Sequence, residues 1–174
     1  VFGAAFAVAV PGNQAFAATP GTLGATSTGT VTITASVPNR ARITGLADVS
    51  FLNQDPNTAA NSAQNVCVWS NTATKAYTIT ATGSGSANAF TITNGTVTVP
   101  YSVQWASSTG QTSGTSLSTG TASSSLTSTA TNQTCASGPT ASASLIVGIS
   151  TTDLGTMTAG SSYTGTLTLL VTPQ

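Results

Sequence analysis

Residues 28–38 read TGTVTITASVP. Gly29, Val31, Ile33, Ala35 and Val37 take the odd positions; Thr28, Thr30, Thr32, Thr34 and Ser36 take the even ones. A period of two puts the two sets on opposite faces of an extended chain. β-Branched residues on both faces favour a strand that lies with one side on an apolar surface. Pro38 stops the ladder, because it has no N–H to donate and holds Val37 in the extended region.

The same alternation recurs further along. Residues 90–99 read FTITNGTVTV, with Asn94-Gly95 in the middle. This is a hairpin signal, and a two-residue type I′ turn predicts the pairs Thr93–Thr96, Ile92–Val97, Thr91–Thr98 and Phe90–Val99. In that register the four apolar residues share one face and the threonines the other. Ser, Thr and Gly richness can also mark a flexible, glycosylated stalk, but a stalk has no reason to alternate with apolar residues.

Strand patterns are expected at 39–51, interrupted by Gly45, and at 66–69, 76–81, 101–105, 141–149 and 163–172. Between them lie a polar loop over 53–65, with a turn at Asp55-Pro56-Asn57, a Gly/Ser loop over 83–88 and a turn region over 154–160. Residues 106–140 are low in complexity and are expected to form a long exposed excursion, anchored near Leu117, Leu126 and Cys135. No convincing amphipathic helix is found. Several short strands separated by turn signals predict an all-β fold, a β-sandwich of immunoglobulin type.

Composition narrows the function. The chain of 174 residues carries three basic and three acidic side chains and no histidine. Arg40, Arg42 and Lys75 cannot build the basic face that phosphate neutralisation needs, so no nucleic-acid partner is expected. So low a charge suits surfaces packed against other copies of the same chain. No catalytic residues are assigned: without histidine a Ser–His–Asp arrangement is impossible, and Asp48, Asp55 and Asp153 are far apart in sequence. The Gly83-Ser-Gly-Ser stretch has no lysine to make it a phosphate cradle, and no cofactor or metal site is expected. Trp69, Trp105, Tyr77, Tyr101 and Tyr163 are candidates to line a sugar site, against the competing reading that they pack in the core.

Cys67 and Cys135 stand alone, with no CxxC pair beside them. In an exported protein they read as a disulfide; the alternative is two buried thiols. Export is suggested by residues 1–18, an apolar run followed by Pro11-Gly12 and a small-x-small site at Ala15-Phe16-Ala17, as at the end of a secretory signal peptide. The rival reading is a retained apolar arm. Residues 19–27 read as a Gly/Thr/Pro linker.

Three features together resemble the structural subunits of chaperone–usher pili, in particular the archaic and alternate branches that include spore coat U-like pilins. They are the alternating strand 28–37 running almost directly into the strand at 40–51, the centre CVWSNTATKAYTITATG with two distant cysteines, and the ending AGSSYTGTLTLLVTP. The resemblance implies an incomplete immunoglobulin-like β-sandwich over 39–174, with an apolar groove completed by a donor strand (28–38) from the next subunit. Gly29, Val31, Ile33, Ala35 and Val37 would be the plugs, Gly29 marking a shallow point of the groove or the place where strand exchange begins. It also implies a head-to-tail homopolymer at the cell surface, serving adhesion and biofilm formation, and a periplasmic chaperone and outer-membrane usher as partners. A self-contained secreted adhesin or carbohydrate-binding module is the alternative.

Overall fold

The computed structural model describes residues 17–174. The leader expected over residues 1–18 therefore lies, through residue 16, outside the described residues. The chain forms two units, Val1–Pro38 and Asn39–Gln174.

In the first unit the arm folds back on itself. The Thr19 N–H donates to the Thr30 carbonyl and the Thr30 N–H to the Thr19 carbonyl, each at 2.9 Å. A side chain on Gly29 would lie 3.1 Å from the Thr19 carbonyl oxygen, and one on Gly21 would meet the Ser27 hydroxyl at 2.1 Å. Glycine at these two positions lets the backbones approach. The 19–27 segment, expected as a flexible linker, is thus one side of a narrow loop. Residues 31–38 run on without belonging to a strand.

The second unit is all-β apart from a short 3₁₀ turn at Ser86–Asn88 and one helical turn. Its strands are β1 (Ala41–Thr44), β2 (Ala60–Ser70), β3 (Ala76–Gly83), β4 (Thr91–Thr93), β5 (Thr98–Pro100), β6 (Ser102–Ala106), β7 (Thr115–Ser116), β8 (Leu126–Thr127), β9 (Ala143–Ile149) and β10 (Leu167–Pro173), with α1 (Thr151–Leu154) before the last. One sheet has the order β1-β2-β9-β6-β7, a second β10-β3-β8, and β4-β5 is a separate hairpin. The strand pairings are antiparallel. Val66 and Val68 of β2, Leu145 and Val147 of β9, and Val103 and Trp105 of β6 meet Tyr77, Ile79 and Ala81 of β3 in one core. Alternation along each strand explains this, since every second side chain of the two facing sheets points inward. The arrangement is consistent with a β-sandwich.

Several expectations are corrected. The hairpin pairs Thr93 with Thr98, Ile92 with Val99 and Thr91 with Pro100. Asn94 and Gly95 therefore open a four-residue loop, not a two-residue turn. Asn94 Oδ1 accepts from the N–H groups of Thr96 and Val97, and the Thr93 hydroxyl donates to the Val97 carbonyl, which fixes the longer loop. The register moves by two residues, so each strand residue keeps its face, and Ile92, Val97 and Val99 still share an apolar cluster. Residues 60–65, expected in a polar loop, belong to β2, where they pair with β9. The first strand is only Ala41–Thr44. Gly45, at φ +80°, ends the ladder, but the chain stays beside β2, where the Gln64 side chain holds Ala47, accepting its N–H at 2.8 Å and donating to its carbonyl at 3.1 Å.

Cys67 and Cys135 form a disulfide, S–S 2.06 Å. It ties the segment after β8 to the end of β2, where Ala130 is fully buried.

A candidate seam for strand uptake

The two sheets meet along two sides, and the sides differ. On one, β6 and β7 of the first sheet face β8 of the second. Here the excursion expected over 106–140 is largely exposed and is anchored at Leu117, Leu126 and Cys135, and its part 106–127 also forms a wall. Leu117 N–H donates to the Val103 carbonyl of β6. Gly120 and Ser123 donate to the Ala81 and Ile79 carbonyls of β3, at 2.8 and 2.9 Å. Thr80 and Ala122 form a further bridge, and Ser128 N–H closes on the Lys75 carbonyl. The free edge of β3 is thus covered by backbone from a Ser/Thr-rich segment, as an exposed sheet edge requires. Between this wall and Trp105 lies an open cleft of about 460 Å³, lined largely by serine and threonine.

On the other side stand β1 and β10, each the terminal strand of its sheet. Their Cα atoms come within 8 Å, yet no ladder joins them. Ile43 of β1, with Val49 and Phe51 beyond Gly45, packs half-buried on the core from one sheet; Leu167, Leu169 and Val171 do so from the other. This is an apolar seam between two unpaired strand edges. A strand hydrogen-bonded on both sides needs two strand spacings, about 9.6 Å. The seam must therefore widen to take in a strand between β1 and β10.

The arm supplies a sequence suited to such a seam. Val31 is 72%, Ile33 88% and Val37 78% exposed, and Gly29 and Ala35 are exposed too. Three large apolar side chains close together in sequence, all in water, are a liability unless something covers them.

The aromatic residues offer no stacking platform at the cleft. Trp105 is 2% exposed, and its indole N–H donates to the Tyr77 hydroxyl at 3.2 Å. Burial pushes the Tyr77 hydroxyl above its ordinary value, the Trp105 bond opposing this in part. Burial also raises Tyr101, whose hydroxyl is without a hydrogen-bond partner among the described residues and whose ring lies 5.8 Å from that of Phe90. Asp48 and Asp55 lie in the connection between β1 and β2, and Asp153 in α1 after β9. Among the described residues no group of histidine, cysteine and carboxylate side chains is placed to hold a metal.

No protein-family model matches this sequence, and no curated protein is significantly similar to it.

Sequence reasoning missed the wall. Most of its bonds to β3 and β6 are made by backbone, with Ser123 Oγ accepting the Ile79 N–H as well, so the side chains of 106–127 carry little pattern that announces them. The Gly45 break was visible as an interruption, but not the Gln64 clamp that follows it.

Proposed function

We propose that the chain is a structural subunit of a bacterial surface pilus, an incomplete immunoglobulin-like sandwich that polymerises by donor-strand complementation and supports adhesion and biofilm cohesion. The observation that carries the reading is the asymmetry of the two sides. One is closed by the chain's own residues 106–127, while the other leaves β1 and β10 unpaired over apolar side chains. An extended segment of a second copy, residues 28–38, fits that vacancy in kind. It brings ladder hydrogen bonds for the bare edges and alternate apolar side chains for the seam.

Gly29, Val31, Ile33, Ala35 and Val37 are the plugs in this reading. Burying Val31, Ile33 and Val37 contributes roughly 1.5–3 kcal/mol each, which offsets the cost of widening the seam. The contact is heterologous, so it propagates as a fibre and does not close into a ring. Export through the periplasm, with a chaperone and an usher that shield the seam before assembly, belongs to the same reading. The test is negative-stain microscopy of the Ile33→Asp variant. An unpaired carboxylate in an apolar seam is costly, so filaments should vanish while the monomer stays folded. Filaments in normal yield would refute the proposal.

A further inference from the structure

Only six side chains in the sequence carry a formal charge, and the fold sorts them by sign. Ala41 pairs with Ser70 and Arg42 with Trp69, so Arg42 lies at the Ser70 end of β2. Arg40 is tied there through its N–H to Asn71, and Lys75 ends the turn that joins β2 to β3. The three carboxylates lie toward the other end. Asp55 is in the loop that leads to Ala60 at the start of β2. Asp153 follows β9, whose last residue Ile149 pairs with Ala60. Asp48 follows Ala47, which Gln64 holds near the middle of β2, so it stands between the two ends and nearer the Ala60 one. β2 has eleven residues, and ten steps of about 3.4 Å separate its ends by about 34 Å. That is several Debye lengths at physiological salt, about 8 Å each. The cationic end therefore does not neutralise the anionic end of its own domain.

We infer that the Arg40–Arg42–Lys75 end of one copy docks against the Asp48–Asp55–Asp153 end of the next, so that charge as well as the donor strand defines the junction. The inference rests on the donor-strand reading and adds a direction to it. Residue 38 leads directly into Asn39 and Arg40, so the arm joins the domain at its cationic end. β10 runs from the Ala60 end toward the Ser70 end, because Leu167 pairs with Gly83 and Pro173 with Tyr77. A donor strand antiparallel to β10 runs the opposite way and finishes at the receiver's Ala60 end. It brings the donor's cationic end to the receiver's carboxylates. A donor parallel to β10 would press two cationic ends together. Opposite charges facing across a heterologous contact steer encounter and suppress the wrong orientation more than they add affinity.

The experiment follows filament growth of the full chain by light scattering at low and high salt. Arg40→Glu with Arg42→Glu should slow growth roughly tenfold at low salt, and the difference should shrink at high salt. Adding Asp48→Lys and Asp55→Lys to the same chain should restore the rate. Lys75→Glu alone gives a milder form of the same effect if the double variant fails to fold by circular dichroism. Equal rates for wild type and a folded charge variant at low salt, or no recovery in the fourfold variant, overturn the charge-sorted junction. A peptide of residues 28–38 has no charged side chain and tests the underlying reading separately. It should cap growth of wild type and charge variants alike at either salt; failure to cap wild type overturns the donor-strand reading and this inference with it.

Discussion

Trp105 and Tyr77 are joined across the core: the indole N–H of β6, in one sheet, donates to the hydroxyl of β3, in the other, at 3.2 Å. Both side chains are buried, and the bond satisfies a donor that would otherwise be stranded in apolar surroundings. Tyr77→Phe removes the acceptor and leaves the indole N–H unpaired. The expected loss is about 1–3 kcal/mol, read as a lower urea midpoint. Tyr101→Phe should behave in the opposite sense. The Tyr101 hydroxyl is buried without a partner among the described residues, so removing it should leave stability unchanged or raise it by about 1 kcal/mol.

The two tyrosines also set an alkaline limit. Burial raises both above the ordinary 10.0, so between the unfolded and folded values the native state holds protons that the unfolded state has released. Their contribution is complete below about pH 10 and is lost as pH climbs through the raised values. Thermal unfolding followed across that range should show a falling midpoint, and the fall should be shallower in Tyr77→Phe.

Cys67 and Cys135 close a loop of sequence separation 68. In the chain-entropy model this stabilises by about 4 kcal/mol. Reduction should lower the calorimetric midpoint and release the segment around Ala130 first, since the bond ties it to β2. Faster hydrogen exchange at Ala130, together with the lower midpoint, is the expected result.

Ser142 stands in for a strand residue. Its hydroxyl accepts the Val68 N–H at 2.8 Å and donates to the Val68 carbonyl at 2.9 Å, while its own N–H donates to the Val66 carbonyl. Ser142→Ala leaves the buried Val68 N–H unpaired, at a cost of about 1–3 kcal/mol. The Val68 carbonyl suffers less, because the Ser128 hydroxyl also donates to it. Ser128→Ala likewise strands the buried Ala130 N–H, which the Ser128 hydroxyl accepts at 3.0 Å, so urea unfolding should show a loss of about 1–3 kcal/mol for each variant.

Gly45 isolates a backbone effect. A Cβ there would find its nearest neighbours at 3.7 Å, ordinary contact, but φ is +80°. Gly45→Ala should therefore destabilise by about 1–2 kcal/mol through conformation alone. The change should fall on residues 45–51, so proteolysis there should accelerate more than global unfolding does.

What residue order alone determined is short-range. Alternation in 90–99 set side-chain parity, which survives even the two-residue shift of the hairpin, because parity depends only on period two. The near absence of charge and the two isolated cysteines were equally plain in the chain. Tertiary structure decided what depends on distant backbone. The polar residues 60–65 became strand because β9 offered them a ladder. The serine- and threonine-rich 106–127 became a wall because Ile79 and Ala81 of β3 presented carbonyls to it, and a main-chain hydrogen bond leaves no mark in side-chain pattern. The sorting of six charges to two ends is of the same kind. Arg42 and Asp153 are far apart in sequence, and only the pairing of β1 and β9 with β2 sends them toward opposite ends of that strand.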